Sequence, residues 1–166
     1  MPQRLKEVID CLYKPPTDGG RQVFALSRAD AEKLPRLPSV AVISITAPER
    51  PPANLDGFTR LLRLTFADVD FLSPNLSERA RGKLIHAFSE EHRNSIRSFV
   101  EALPDEISSV VVHCEGGYSR SCAIAVALRQ LYGYHTELQH LSNANSSIVD
   151  VMMRDVPGRR GQRNGF

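Results

Sequence analysis

The sequence predicts an α/β fold, a single domain with a central, mostly parallel sheet flanked by helices. Three observations carry this. Short apolar runs such as "SVAVISIT" (39–46) and "SVVVH" (109–113) have the length and continuity of strands buried on both faces. Helical patterns lie between strand patterns, as the crossovers of a parallel sheet require. The 166 residues are enough for one proper core, and 42% apolar with 24% charged residues is ordinary for a globular chain.

Each element follows in order. "DGGR" (18–21) reads as a turn, and "FALSRADAEKL" (24–34) offers Ser27 as a cap before a helix-permissive stretch. After the strand at 39–46, "PERPPANLDG" (48–57) is a proline-rich loop. "TRLLRLTF" (59–66) alternates as a strand does and runs into the acidic turn "ADVDFLSPN" (67–75). Residues 77–103 are helical in pattern, read as two helices broken near Ser89. Leu84, Ile85 and Phe88 are expected on one apolar face, and Ile96, Phe99, Val100 and Leu103 on the other. "PDEIS" (104–108) is a turn before the strand at 109–113. "RSCAIAVALRQLYGY" (120–134) is apolar almost all round, so a central helix is expected there. Residues 136–155 suggest one or two more helices. The domain is placed at 1–156, and "PGRRGQRNGF" (157–166) reads as a basic, frayed tail.

Composition narrows the function classes. A net charge of +2 gives no argument for a nucleic-acid partner. No apolar run approaches the roughly 18 residues of a membrane span, and the charged N-terminus "MPQRLKEVID" does not read as a signal peptide. Cys11, Cys114 and Cys122 make an odd count without a framework spacing, which fits reduced thiols in a cytoplasm.

The chemistry concentrates in "HCEGGYSRS" (113–121), a loop between strand and helix. In such a unit the loop sits at the carboxyl end of the strand, where open α/β sheets bind ligands. The helix N-terminus offers unpaired amides and the positive end of its dipole to an anion, which is read here as a phosphate. Gly116 and Gly117 let further amides of Glu115, Tyr118 and Ser119 turn inward. Helix N-termini and cationic neighbours favour the thiolate of a cysteine, which makes Cys114 a candidate nucleophile. Arg120 brings a planar fork of donors for two phosphate oxygens. Ser121 can donate to the sulfur, and His113 can fix the loop through a carbonyl; both read equally well as simple ties within the loop.

These residues resemble the H-C-x-x-G-x-x-R-[S/T] motif of cysteine-dependent protein phosphatases, with His113, Cys114, Gly117, Arg120 and Ser121 all matching. "GYSRS" looks most like the dual-specificity branch, which usually carries alanine where Gly116 stands. The resemblance spans about residues 38–155 and is specific at the loop. It implies two-step hydrolysis through a cysteinyl phosphate, with an aspartic acid protonating the leaving oxygen, and no metal or other cofactor. That acid follows a strand. Asp68, where "LRLTF" ends, fits first and Asp70 second, although both lie farther from Cys114 than the family's usual spacing. Asp105 is too close to the strand leading into the loop. Asn145, in "NANSSIVD", resembles an asparagine that the branch often carries before a helix, here without its usual proline.

Blander readings compete. Cys122 reads as core rather than redox partner, either aspartate alone could be a turn former, and His86, His92, His135 and His140 show no ligand spacing. A rhodanese-like sulfurtransferase and a phosphate-binding pseudophosphatase are the rival functions. Glu115 is expected to repel a polyphosphorylated headgroup, which points to a phosphoprotein or phosphopeptide partner rather than a membrane lipid. Phosphotyrosine comes first, with phosphoserine and phosphothreonine open.

Overall fold

Four strands form one sheet in the order β1-β4-β2-β3, and every neighbouring pair is parallel. They are β1 (Gln22–Ser27), β2 (Val40–Thr46), β3 (Arg60–Thr65) and β4 (Ser109–Cys114). The computed structural model describes residues 5–154, so the expected tail at 157–166 and the domain limit at 156 lie outside the described residues. β2 and β4 are buried along their whole length because each feeds two cores. Ala41, Ile43, Ile45, Val110 and Val112 point into one; Val40, Val42 and Val111 point into the other.

The first core is closed by α4 (Glu90–Glu101), α5 (Arg120–Tyr132) and α6 (Ser146–Met153). The second is closed by α1 (Leu5–Tyr13), α2 (Arg28–Glu32) and the proline-rich connection between β2 and β3, which buries Ala53 and Leu55 instead of forming a helix. β3 is one edge of the sheet, and its exposed Arg60 and Arg63 keep further strands from pairing with it. No helix among the described residues is long and apolar enough to cross a membrane.

One expectation holds, one strand is not anticipated, and one expectation changes. Ser27 caps α2 as expected, accepting from Asp30 N–H at 3.2 Å, but the residues before it, Gln22 to Ser27, form β1, a strand absent from the sequence reading. Leu84 and Ile85 do not form an apolar helix face. They sit exposed on a 3-10 turn, Ile85 at 85%, because α3 (Glu78–Gly82) stops at its glycine after five residues. Of that trio only Phe88 is buried, edge-on against Phe66 at 5.0 Å. The break at Ser89 stands as expected, since Ser89 caps α4.

Candidate active site

β4 delivers Cys114 to the carboxyl edge of the sheet, and α5 starts six residues later at Arg120. The loop between them is tight for a reason that can be measured. Gly117 has φ +78°, and a Cβ there would stand 2.6 Å from Ser27 N and 2.7 Å from Leu26 C, both backbone atoms of β1. Gly116 has no such constraint; its Cβ would meet only the Tyr118 ring, at 3.0 Å. Gly117→Ala is therefore expected to lower stability by roughly 1–3 kcal/mol from backbone strain alone. Gly116→Ala should cost under about 1 kcal/mol, since one side chain can shift. Urea unfolding of the two variants checks this; equal midpoints would contradict it.

Within the loop, Cys114 is 3% exposed and its Sγ accepts from Gly117 N–H at 3.3 Å. Ser121 Oγ lies 3.1 Å from the same sulfur. Arg120 is 6% exposed, and its Nη1 donates to the Phe66 carbonyl at 2.9 Å. Its Nε is buried without a hydrogen-bond partner among the described residues, an arrangement that is expensive unless a ligand satisfies it. Arg120 opens onto a cavity of about 470 Å³, also lined by Arg50, Asp68, Lys83, His86 and Glu115.

His113 supports the loop from below. Burial lowers its pKa, so the ring is neutral. A carbonyl can only accept, so Nδ1–H donates to Cys114 O at 3.2 Å, and Nε2 accepts from Ser44 Oγ at 2.6 Å. The Glu115 carboxylate pairs with Arg28 at 3.2 Å and Arg50 at 3.5 Å. With its charge compensated, the expectation that Glu115 repels a polyanion loses its basis. Tyr118 is 49% exposed.

The two aspartates separate by their partners. Asp68 lines the cavity, and its Oδ1 accepts from Ser119 Oγ at 2.9 Å and Asn145 Nδ2 at 3.1 Å. Asp70 is not among the lining residues; its carboxylate accepts from the Ser147 hydroxyl. Asp105 lies toward the opposite end of β4, in a different cavity with Arg21 and Glu101. Asn145 also caps α6, its Oδ1 accepting from Ser147 and Ile148 N–H, while its Nδ2 holds Val69 O. One asparagine thus ties the acidic turn to a helix start. The sequence carried a signal for that, an asparagine directly before an apolar helical run.

Cys122 is core. Burial, with the neighbouring Cys114 sulfur, pushes its pKa up to about 12, and its thiol donates to Gly117 O at 3.3 Å. Of the four remaining histidines, His92 caps α4 and packs on Phe66 and Phe88, and His135 and His140 pair with Asp18 and Glu137. No three His, Cys, Asp or Glu among the described residues are grouped to hold a metal. The roles of Arg28, Arg50 and Lys83 had no signal in the sequence; they are single cations in unrelated segments that only the fold brings together.

Solved structures similar to the chain include two with cysteine-phosphatase names, PTPMT1 and Tk-PTP. PTPMT1 is 18% identical over 86% of this chain and 98% of its own, with a TM-score of 0.49. Tk-PTP in the active form is 20% identical over 85% of this chain and 82% of its own, with a TM-score of 0.43. No family model and no curated protein matches the chain.

Proposed function

We propose that the chain is a phosphatase that hydrolyses phosphate monoesters through a cysteinyl phosphate, phosphotyrosine in proteins ahead of phosphoserine and phosphothreonine. The observation that carries this is the pairing of Arg120 with Cys114. A guanidinium anchored at Nη1, with a buried and unpartnered Nε, stands in the same loop as a sulfur that accepts an amide N–H. The arrangement suits a tetrahedral anion held by the fork, the loop amides and the start of α5.

In the first step Sγ attacks phosphorus, the P–O bond to the leaving group breaks, and Asp68 gives that oxygen a proton. Asp68 Oδ1 already accepts two hydrogen bonds, so the proton is carried on Oδ2. Water then attacks phosphorus and gives its proton to Asp68. The P–S bond breaks, and sulfur leaves as a thiolate to which Ser121 donates. Inorganic phosphate is released, and the enzyme returns to its starting state. Most of the acceleration is positioning and charge stabilisation. An exposed Tyr118 ring on the loop itself supports an aryl ester, which can stack on it. The presence of Asp68 in the cavity supports hydrolysis over sulfur transfer, which needs no acid.

The test is phosphate release from p-nitrophenyl phosphate and a phosphotyrosine peptide, with acid quenching to trap the thiophosphate ester. Sulfur transfer from thiosulfate to cyanide without phosphate release would instead establish the sulfurtransferase reading. Phosphate binding without turnover would leave a pseudophosphatase.

A further inference from the structure

The cavity above Arg120 is walled by cations that the hydrolysis just described does not use. Arg50 comes from the β2–β3 connection and Lys83 caps the end of α3, and both line the cavity. Lys83 is half-buried, and its ammonium makes no ion pair or hydrogen bond among the described residues. Arg50 is 53% exposed and rests on Glu115 Oε1, at 3.5 Å. That oxygen already has a better partner. Arg28 holds it at 3.2 Å and is itself fixed by the carbonyls of Pro51 at 2.6 Å and Pro52 at 2.7 Å. Arg50 can therefore turn to a ligand while Glu115 keeps a compensating charge. The other carboxylates lining the cavity are Glu49 and Asp68, and Asp68 is turned to Ser119 and Asn145 rather than to either cation.

We infer that Arg50 and Lys83 form a subsite for a second anionic group on the substrate, with Glu115 as a built-in competitor for Arg50. The inference rests on the phosphatase reading of the same cavity and narrows its substrate. The class is a phosphopeptide whose phosphorylated residue has an acidic side chain or a second phosphate as neighbour. Leu84 and Ile85, exposed directly after Lys83, offer the apolar contact that adjacent peptide side chains would use.

Steady-state kinetics on two phosphotyrosine peptides, one with neutral flanks and one with glutamates on both sides, test this. The acidic peptide is expected to have a kcat/KM about tenfold higher at low salt, a preference that 0.5 M salt erodes. Arg50→Gln and Lys83→Gln should each shrink that ratio by about threefold, whereas Glu115→Gln should enlarge it, because Arg50 is released. Equal kcat/KM on the two peptides, or a ratio indifferent to all three substitutions, overturns the subsite. If neither peptide is turned over, the phosphatase reading fails; the same ratio measured as binding, by fluorescence anisotropy of labelled peptides, still decides the subsite. Binding to phosphatidylserine vesicles that exceeds binding to the acidic peptide overturns it in favour of a lipid surface.

Discussion

Cys114→Ser is expected to reduce turnover of a phosphotyrosine peptide by on the order of 10⁴–10⁶, the scale of losing a covalent nucleophile. A serine hydroxyl has the shape to accept the Gly117 N–H that now reaches Sγ, but it stays protonated at neutral pH and attacks phosphorus poorly. Nothing else in the anion site changes. Arg120 keeps its anchor on Phe66 O, and the Gly117 turn keeps its place against β1. The variant should therefore still bind phosphate and melt within a few degrees of the parent. Rates on the peptide, phosphate binding by calorimetry and a thermal melt check the three parts. Hydrolysis by the serine variant at a near-parental rate would sink the covalent mechanism.

Asp68→Asn is expected to lower the rate on the same peptide by roughly 10²–10⁴, the range for general acid–base catalysis. The loss should shrink on an ester whose leaving group is a weak base, since such an oxygen departs without a proton. Asn145→Ala should follow the same leaving-group pattern at lower amplitude, because Asn145 acts only by holding Asp68 Oδ1 and Val69 O. It should also lose about 1 kcal/mol of stability as the cap of α6. Asp70→Asn should leave the leaving-group dependence as it is, its carboxylate being taken up by Ser147. A crippled Asp70→Asn beside a nearly normal Asp68→Asn would reverse the assignment.

Sequence and structure agree where one local pattern decides the outcome. The run at 109–114, the glycine turn and the helix from Arg120 could be read directly, because burial on both faces and a short strand-to-helix loop leave few alternatives. β1 escaped because Phe-Ala-Leu-Ser suits a helix as well as a strand. Its strand state comes from pairing with β4, far along the chain. The misplaced face at Leu84 and Ile85 has the opposite cause: the periodicity was present, but Gly82 ended the helix too early to use it. The choice between Asp68 and Asp70 was legible only as a preference, since two residues on one turn differ by the partners that α6 and the loop bring to them. The Arg50, Lys83 and Glu115 constellation draws on three distant segments and had no linear trace.

The strand order carries a consequence for how the protein comes into being. β4 lies between β1 and β2, so two early strands must wait for a late one; Gln22 and Ser109 are neighbours although 87 residues apart. Such distant parallel pairings form slowly, and until they form the facing edges of β1 and β2 are open to the wrong partners. Cys114 is the last residue of that inserted strand, and Gly117 closes against β1. A ribosome-bound chain that has not yet released β4 and α5 can pair β2 with β3 but has neither the complete sheet nor the proposed anion site. The proposed nucleophile is placed by the same event that completes the fold, so a half-folded form of this chain is expected to have no activity.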